Sequence, residues 1–154
     1  MTADPYAQWL GAPMEDDDVD ALLDSAGYGV LGLAADDDPY TIPVSFGYDG
    51  GDVFFAFVRA GPESEKFEFI GDGETARRLV TDIKARFDWQ SVAVTGPVGA
   101  VDLTDDDWGR LVAALDDNPW FSTAFDEDDR VEGVQGWRLT PDEVVGREVR
   151  PDAT

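Results

Sequence analysis

Apolar and polar positions alternate along the chain with two periods, which predict strands interrupted by short helices. Over residues 15–26 the apolar residues fall at helical spacing, acids occupy the first turn, and Gly27 stands where a C-terminal cap would. Three apolar runs, YGVLGLAA, YTIPVSF and DVFFAFV, follow this helix and are separated by the turn sequences DDDP and DGG. The first part of the chain therefore predicts a helix followed by a β-meander.

The middle of the chain leaves one alternative open. GPESEKFEFI favours a short helical segment with Pro62 near its start, whereas ETARRLVTDIKARF fits either a strand or a helix. As a strand, this second segment aligns five residues on one face: Leu79, Thr81, Ile83, Ala85 and Phe87. As a helix, it aligns Leu79, Ile83 and Phe87. Periodicity alone does not decide between the two.

The last part of the chain predicts two strands with a helix between them. WQSVAVTGPVGAV is rich in β-branched residues, and VQGWRL is predicted to be the final strand. In TDDDWGRLVAAL, Thr104 is placed to cap a helix and Asp107 to complete a capping box. The apolar face of that helix comprises Trp108, Leu111, Val112 and Leu115.

Six strands without regular strand–helix–strand alternation predict a mainly β, antiparallel barrel with added helices. GYGVLG has the glycine spacing of a dinucleotide-binding turn, but that motif requires a strand before it and a helix after it. The order here is reversed. We therefore interpret these glycines as a helix end and a site of close strand packing.

Composition and charge narrow the possible partners. The 154 residues suit one domain, and 34 acidic against 11 basic residues give a formal charge of −23. Such a charge disfavours nucleic acid and membrane as partners. Most acids are aspartate and most basic residues are arginine, which is typical of a halophilic cytoplasmic protein; an acidic protein from ordinary cytoplasm is the alternative.

The chain contains no cysteine and no histidine. This absence excludes thiol chemistry, histidine general bases and nearly all zinc or haem ligation, so redox activity would need a bound cofactor. The triple aspartates lack the spacing of a calcium loop, and we predict no metal site. No run of apolar residues is long enough to span a membrane, so we expect a cytoplasmic protein.

Four segments occur in a distinctive order: PYTIPVSFGYDGGDVFFAF, SEK, DWQSVAVTG and GWRLTPDEV. This succession resembles the pyridoxamine 5′-phosphate oxidase-like superfamily over roughly residues 21–147. The resemblance implies a six-stranded, FMN-binding split β-barrel in which residues 75–86 form a strand. It also implies a homodimer with two flavin sites at the subunit interface. Residues 1–14 and 147–154 are expected to be peripheral to this domain.

The first motif of this resemblance suggests a wall for the cofactor. Alternation along a strand places Thr41, Pro43 and Ser45 on one face, and Ile42, Val44 and Phe46 on the other. Pro43 lacks an N–H group, which suits an edge strand whose backbone meets the flavin rim, although a plain edge strand is the alternative. The resemblance adds Val44 and Phe57 to the candidate cofactor-binding residues.

The resemblance also suggests residues for the flavin phosphate. Lys66 matches a lysine that contacts the phosphate in the family, although it could instead be a surface lysine paired with Glu63 or Glu65. Ser64, Ser91 and an arginine such as Arg77 or Arg78 would assist it. Trp89 and Gln90 resemble flavin-contacting residues, with an ordinary core role as the alternative for Trp89. Trp137 resembles an aromatic residue that approaches the flavin of the partner subunit.

These features predict an FMN-dependent oxidoreductase that acts on a small-molecule substrate or electron donor. The flavin ring carries the redox chemistry, so no catalytic side chain is required. Two alternatives stay open: a reductase of the same fold that uses the deazaflavin F420, and a non-catalytic module that binds or stores flavin. Oxidation of vitamin B6 itself is not expected, because the basic tail and histidine of the true oxidases are missing.

Overall fold

The structure, a computed structural model, describes residues 10–58, 70–102, 104–116 and 134–151. Within these ranges nine strands and two helices follow one another. In chain order they are β1 (Ala12–Pro13), α1 (Asp16–Ser25), β2 (Tyr28–Ala35), β3 (Asp38–Ser45), β4 (Gly47–Asp49), β5 (Asp52–Val58), β6 (Thr75–Ala85), β7 (Asp88–Val101), α2 (Asp107–Asp116), β8 (Val134–Leu139) and β9 (Glu143–Val149).

The mainly β, antiparallel architecture is confirmed, but the predicted count of six strands is wrong. The six predicted strands correspond to β2, β3, β5, β6, β7 and β8, and the additional ones are β1, β4 and β9. Thus VQGWRL is not the last strand. Two of the added strands are very short, and β9 mixes apolar and charged residues, so none of them carries a strong periodic signal.

All pairs among the described strands are antiparallel, and the main strand order is β3-β2-β6-β7-β8-β5-β4. Strand β9 also pairs with β7, and β1 pairs with β9. The long strand β7 joins two layers, since Trp89–Thr95 pairs with β9 and Val98–Val101 pairs with β8. Thus β3 and β4, which follow one another in the chain, lie at opposite ends of the strand order.

Two tight turns fix the register of the first hairpins. Asp36 and Asp37 connect β2 to β3 with positive φ angles of 50° and 66°, and Gly50 and Gly51 connect β4 to β5 with φ angles of 59° and 88°. Two-residue turns of this kind require positive φ at both positions, which glycine, and to a lesser extent aspartate, tolerates. The hairpin predicted at DGG is therefore confirmed.

The helices predicted at residues 15–26 and 104–115 are present and pack through the expected faces. The helical segment predicted at residues 61–70 falls, except for its last residue, outside the described residues. Helix α1 buries Val19, Leu22 and Leu23. Helix α2 packs Leu111 and Leu115 against Phe54 of β5 in a second, smaller cluster. Among the described residues, no helix has the length and apolar character needed to cross a membrane.

The helix ends differ from the predicted caps. Helix α1 ends at Ser25, and the C-cap is Ala26 in an extended conformation rather than Gly27. Helix α2 begins at Asp107, so Thr104 lies too early to cap it. The Asp107 carboxylate instead accepts hydrogen bonds from Arg110, at 3.3 Å, and from Arg138 of β8. These ion pairs attach the start of α2 to the neighbouring sheet.

The described parts of the segments expected to be peripheral contribute to the sheet through β1 and the end of β9. Ala12 and Pro13 pair with Glu148 and Arg147, which joins the N-terminal part of the chain to β9. Met14, which follows β1, is buried in the main core. Residues on both sides of the predicted domain therefore complete the β-sheet.

Candidate cofactor site

One face of the sheet formed by β3, β2, β6, β7 and β9 is open to solvent and crossed by a stripe of apolar side chains. Residues opposite one another in an antiparallel sheet point to the same face, so the strand register identifies the members of this stripe. They are Pro43, Val30, Leu79, Ala93 and Val145. Val30, Leu79 and Val145 expose 40%, 38% and 42% of their surface, which is unusual for apolar residues of a sheet centre.

Two rows of residues that are more polar than the stripe flank it on the same face. On one side the register aligns Ser45 with Tyr28 and Thr81 with Ser91 and Arg147. On the other side the row comprises Thr41, Gly32, Arg77, Thr95 and Glu143. We call the stripe and these two rows the exposed sheet face. It carries two arginines and one glutamate, in a chain whose formal charge is −23.

Strand β3 ends the strand order and borders the exposed sheet face. The N–H of Phe46 donates to the carbonyl oxygen of Gly27 at 2.9 Å, which fixes the hydrogen-bonding phase of the β2–β3 ladder. Because bonded and non-bonded pairs alternate in such a ladder, the backbone groups of every second β3 residue point away from β2. Those residues are Thr41, Pro43 and Ser45. The predicted edge position of Pro43 thus agrees with the sheet topology, and no described strand pairs with that edge.

Other predicted cofactor-binding residues lie elsewhere. The side chain of Val44 packs partly buried against the main core, on the opposite face from Pro43. Phe57 lies in β5 opposite Gln135 of β8. Ser64 and Lys66 fall outside the described residues.

The motif around Trp89 is divided between the two faces of β7. Ser91 lies on the exposed sheet face, whereas its neighbour Gln90 points to the other side and donates from Nε2 to Glu148 Oε2 at 3.0 Å. Trp89 packs beside Gly11, where a Cβ atom would lie 2.8 Å from the indole Cη2. Ser91 can therefore face a ligand on the exposed sheet face, whereas the Gln90 side chain is turned away from it.

Trp137 lies in the main hydrophobic core. It is only 6% exposed, occupies β8 opposite Phe55 and Ala100, and belongs to the main hydrophobic cluster. A side chain so buried has little surface to offer to the flavin of a partner subunit. The site proposed below is therefore built without it.

The two candidate arginines of β6 have opposite environments. Arg77 lies on the exposed sheet face and donates from Nε to Thr95 Oγ1 at 2.9 Å. Arg78 is fully buried, donates from Nη2 to the Ala26 carbonyl at 3.0 Å, and stacks over the Phe46 ring at 4.3 Å. Burial lowers the pKa of Arg78 to about 9, against an opposing effect of nearby Tyr48. Arg78 therefore faces away from a ligand on the exposed sheet face.

The family model described as pyridoxamine 5′-phosphate oxidase matches residues 15–148, which is most of the chain. The protein belongs to this family. No curated protein sequence matches the chain.

Solved structures show the same fold at low sequence identity. The FAD binding protein from Mycobacterium smegmatis is 18% identical, with 92% of this chain and 100% of that chain covered and a TM-score of 0.66. A FAD-binding protein from Mesorhizobium loti is 18% identical, with coverages of 91% and 97% and a TM-score of 0.69. A conserved hypothetical protein from Mycobacterium tuberculosis is 13% identical, with coverages of 96% and 95% and a TM-score of 0.71. The segment 75–86 that periodicity left open is a strand, β6, as the family resemblance implied.

Proposed function

We propose that this protein is a homodimeric flavoprotein that binds FMN at the exposed sheet face and acts as an oxidoreductase on a small molecule. The observation that carries the proposal is the apolar stripe, bordered by an edge strand and by two rows that carry only one carboxylate. The flavin ring is flat and largely apolar, whereas its rim carries hydrogen-bonding groups. The stripe suits the ring, and the outward backbone groups of β3 suit the rim. Family membership and the FAD-binding proteins of the same fold support the assignment.

The same face supports the homodimer. Apolar residues at a sheet centre are normally covered, and a face nearly free of carboxylates is what a protein of charge −23 needs to approach its own copy. Strands β2 and β6 separate β3 from β7, which places the β3 edge roughly 14 Å from Ser91 at about 4.8 Å per strand. We infer that a partner subunit brings a second β7 close to β3, so that two subunits form each site.

The protein's part in the reaction is to bind and orient. A bound flavin would supply hydride transfer, and Thr41, Pro43 and Ser45 would hold its rim through backbone donors and acceptors. The Ser91 hydroxyl would donate a hydrogen bond to the phosphate, and Lys66 would contact the same phosphate, as the sequence predicts. Covering the stripe with a second subunit would exclude water from the ring. No side-chain acid or base is assigned.

The cofactor is tested by purifying the protein in molar KCl without added ligand. We expect a yellow protein whose extracted cofactor has the mass of FMN, and whose bound flavin is reduced by NAD(P)H. FAD or F420 as the extracted cofactor would replace FMN in the proposal. Flavin binding without turnover would indicate a storage module. A colourless protein that binds neither added FMN nor added riboflavin would refute flavin binding.

The homodimer is tested with a matched pair of substitutions in β9. Val145 lies in the stripe, whereas Val144 points to the opposite face and is similarly exposed, 44% against 42%. We expect Val145→Asp to convert the dimer to a monomer and to lower flavin binding, because it adds charge at the centre of the interface. Val144→Asp should remain dimeric. Sedimentation in molar KCl measures the oligomeric state of both variants. A Val145→Asp protein that forms a dimer as stable as wild type would contradict the proposed interface.

A further inference from the structure

Arg147 is the cation that lies next to Ser91 on the exposed sheet face. The two residues are paired in the β7–β9 register, so their side chains leave the sheet on the same side from adjacent strands. A hydroxyl donor and a guanidinium in this arrangement offer several N–H and O–H groups to one anion. No residue of the sequence motif SEK is needed to form this pair.

The guanidinium of Arg147 is held in place from one side. Its Nη1 donates to the carbonyl oxygen of Gly11 at 3.3 Å. Gly11 has a φ of +80° and is pressed against Trp89, so that a Cβ atom there would lie 2.8 Å from the indole. Only glycine adopts this conformation readily at so close an approach. The bond fixes one nitrogen of Arg147, while Nε and Nη2 make no hydrogen bond to a described residue.

The carboxylate that follows Arg147 in β9 is engaged by other partners. Glu148, the next residue along β9, accepts from Gln90 at 3.0 Å and from Arg150 at 2.9 Å. Arg150 also donates to Asp18 at 2.7 Å. No carboxylate of the described residues lies within ion-pairing distance of Arg147. The chain has about three times as many acidic as basic residues, yet Arg147 has no carboxylate partner among the described residues. The Arg147 guanidinium is therefore available to bind an external anion.

We propose that Arg147 and Ser91 form the subsite that binds the 5′-phosphate of the flavin, an inference that rests on the proposed function. Arg78 is excluded because it is buried on the opposite face. Arg77 is anchored to Thr95 in the row across the stripe from Ser91. Arg147 therefore replaces both as the arginine that assists the phosphate. A charge-assisted contact of this kind acts at short range, where molar salt does not screen it away.

The subsite is tested by titrating FMN, FAD and riboflavin into apoprotein in molar KCl, following flavin fluorescence. Arg147→Gln should weaken the binding of FMN and of FAD by about 10- to 100-fold, as expected for the loss of one hydrogen bond to a charged group. Riboflavin has the same ring without phosphate, and its affinity should not change. Arg147→Lys should restore part of the FMN affinity. Arg150→Gln is the matched control, because it removes the same charge from a neighbouring residue that is engaged by Glu148 and Asp18; it should leave all three affinities unchanged.

The outcomes separate this inference from the proposed function. Suppose that wild type binds FMN and riboflavin, and that Arg147→Gln lowers neither affinity or lowers both equally. The assignment of the phosphate subsite is then wrong, whereas flavin binding stands. If Arg150→Gln weakens FMN as much as Arg147→Gln does, the effect is general electrostatics and the subsite is again refuted. If wild type binds none of the three ligands, the proposed function itself fails.

Discussion

Replacing Arg78 with methionine is expected to leave the protein as stable as wild type, or more stable. Arg78 is 0% exposed and lies between Leu31 and Val94 in the sheet register, both of which are core residues. Among the described residues, no group accepts a hydrogen bond from its Nε or Nη1, and no carboxylate pairs with it. A buried charge without a counter-charge opposes folding.

The magnitude follows from the pKa of the guanidinium. Burial lowers the pKa of Arg78 from its ordinary value to about 9, which disfavours the charged form by about 5 kcal/mol in the folded protein. Methionine removes this penalty but also removes the hydrogen bond to Ala26, worth about 1.5 to 3 kcal/mol, and the contact with the Phe46 ring, worth about 2 kcal/mol. The difference is a gain of between about 0 and 1.5 kcal/mol for Arg78→Met.

The assay is urea unfolding in molar KCl, followed by tryptophan fluorescence. Arg77→Met is the matched control, because it removes the same charge from the next residue, which lies on the exposed sheet face. Arg78→Ala should destabilise by about 3 kcal/mol, since it leaves a cavity that methionine fills. A loss of more than about 2 kcal/mol in Arg78→Met would refute the reasoning, because the charge would then contribute net stability.

The pH dependence provides a second check with a definite sign. Below about pH 9 the penalty is fully present, because Arg78 is charged in both folded and unfolded chains. As the pH rises above about 9 toward the higher pKa of an arginine in the unfolded chain, the folded protein releases this proton while the unfolded chain keeps it, so folding stability rises. Wild type should therefore gain stability relative to Arg78→Met in this range. A difference between the two that stays constant would contradict the assigned pKa.

Three other predictions concern the core, the surface and the cofactor phosphate. Trp137→Ala should lower the free energy of unfolding by about 3 to 5 kcal/mol through the cavity it leaves, whereas an unchanged urea midpoint would place the indole outside the core. Dilution below roughly molar salt should unfold the protein, because screening of the −23 charge is lost; a native circular dichroism spectrum in low salt would exclude halophilic adaptation. Lys66→Ala should weaken FMN by about 10- to 100-fold without affecting riboflavin, and equal losses for both ligands would exclude a phosphate contact.

Most strands could be predicted from the sequence because their burial alternates along the chain. The runs YGVLGLAA, DVFFAFV and VQGWRL coincide with β2, β5 and β8. The turn at Gly50 and Gly51 was equally clear, since glycine at both positions favours a two-residue hairpin. The equivalent turn at Asp36 and Asp37 is harder to detect from the sequence, because a run of aspartates is typical of any solvated surface. In the structure both aspartates adopt positive φ, as a two-residue turn requires.

Strand β6 remained ambiguous because of Arg78. The buried face of β6 comprises Ala76, Arg78 and Val80, and a charged residue at its centre removes the apolar alternation that identifies a strand. The apolar residues that the sequence aligns on the other face include Leu79 and Ile83, and these are exposed. The segment becomes a strand because it pairs with β2 and β7, and this pairing depends on residues that are distant in the sequence.

The candidate site was accessible to sequence reasoning only in part. The alternation in β3 places Thr41, Pro43 and Ser45 together, as the structure does. Adjacent residues of β7 cannot share a face, however, so Gln90 and Ser91 could not both have faced one ligand. Arg147 was missed because EVVGREV has no clear period, and because its role depends on a register with Ser91 that local sequence does not encode.

The distribution of charge connects the fold with the proposed site. Within the described parts of the chain, three arginines form ion pairs with aspartates: Arg110 with Asp49 and Asp52, Arg138 with Asp107, and Arg150 with Asp18. The exposed sheet face, by contrast, carries Arg77 and Arg147 and only one carboxylate, Glu143. A chain of net charge −23 would place more acids on a face of this size if that face were ordinary surface. Keeping acids away reduces repulsion both of a second subunit and of a phosphate, so one arrangement of charge would serve both the proposed dimerisation and the proposed cofactor binding.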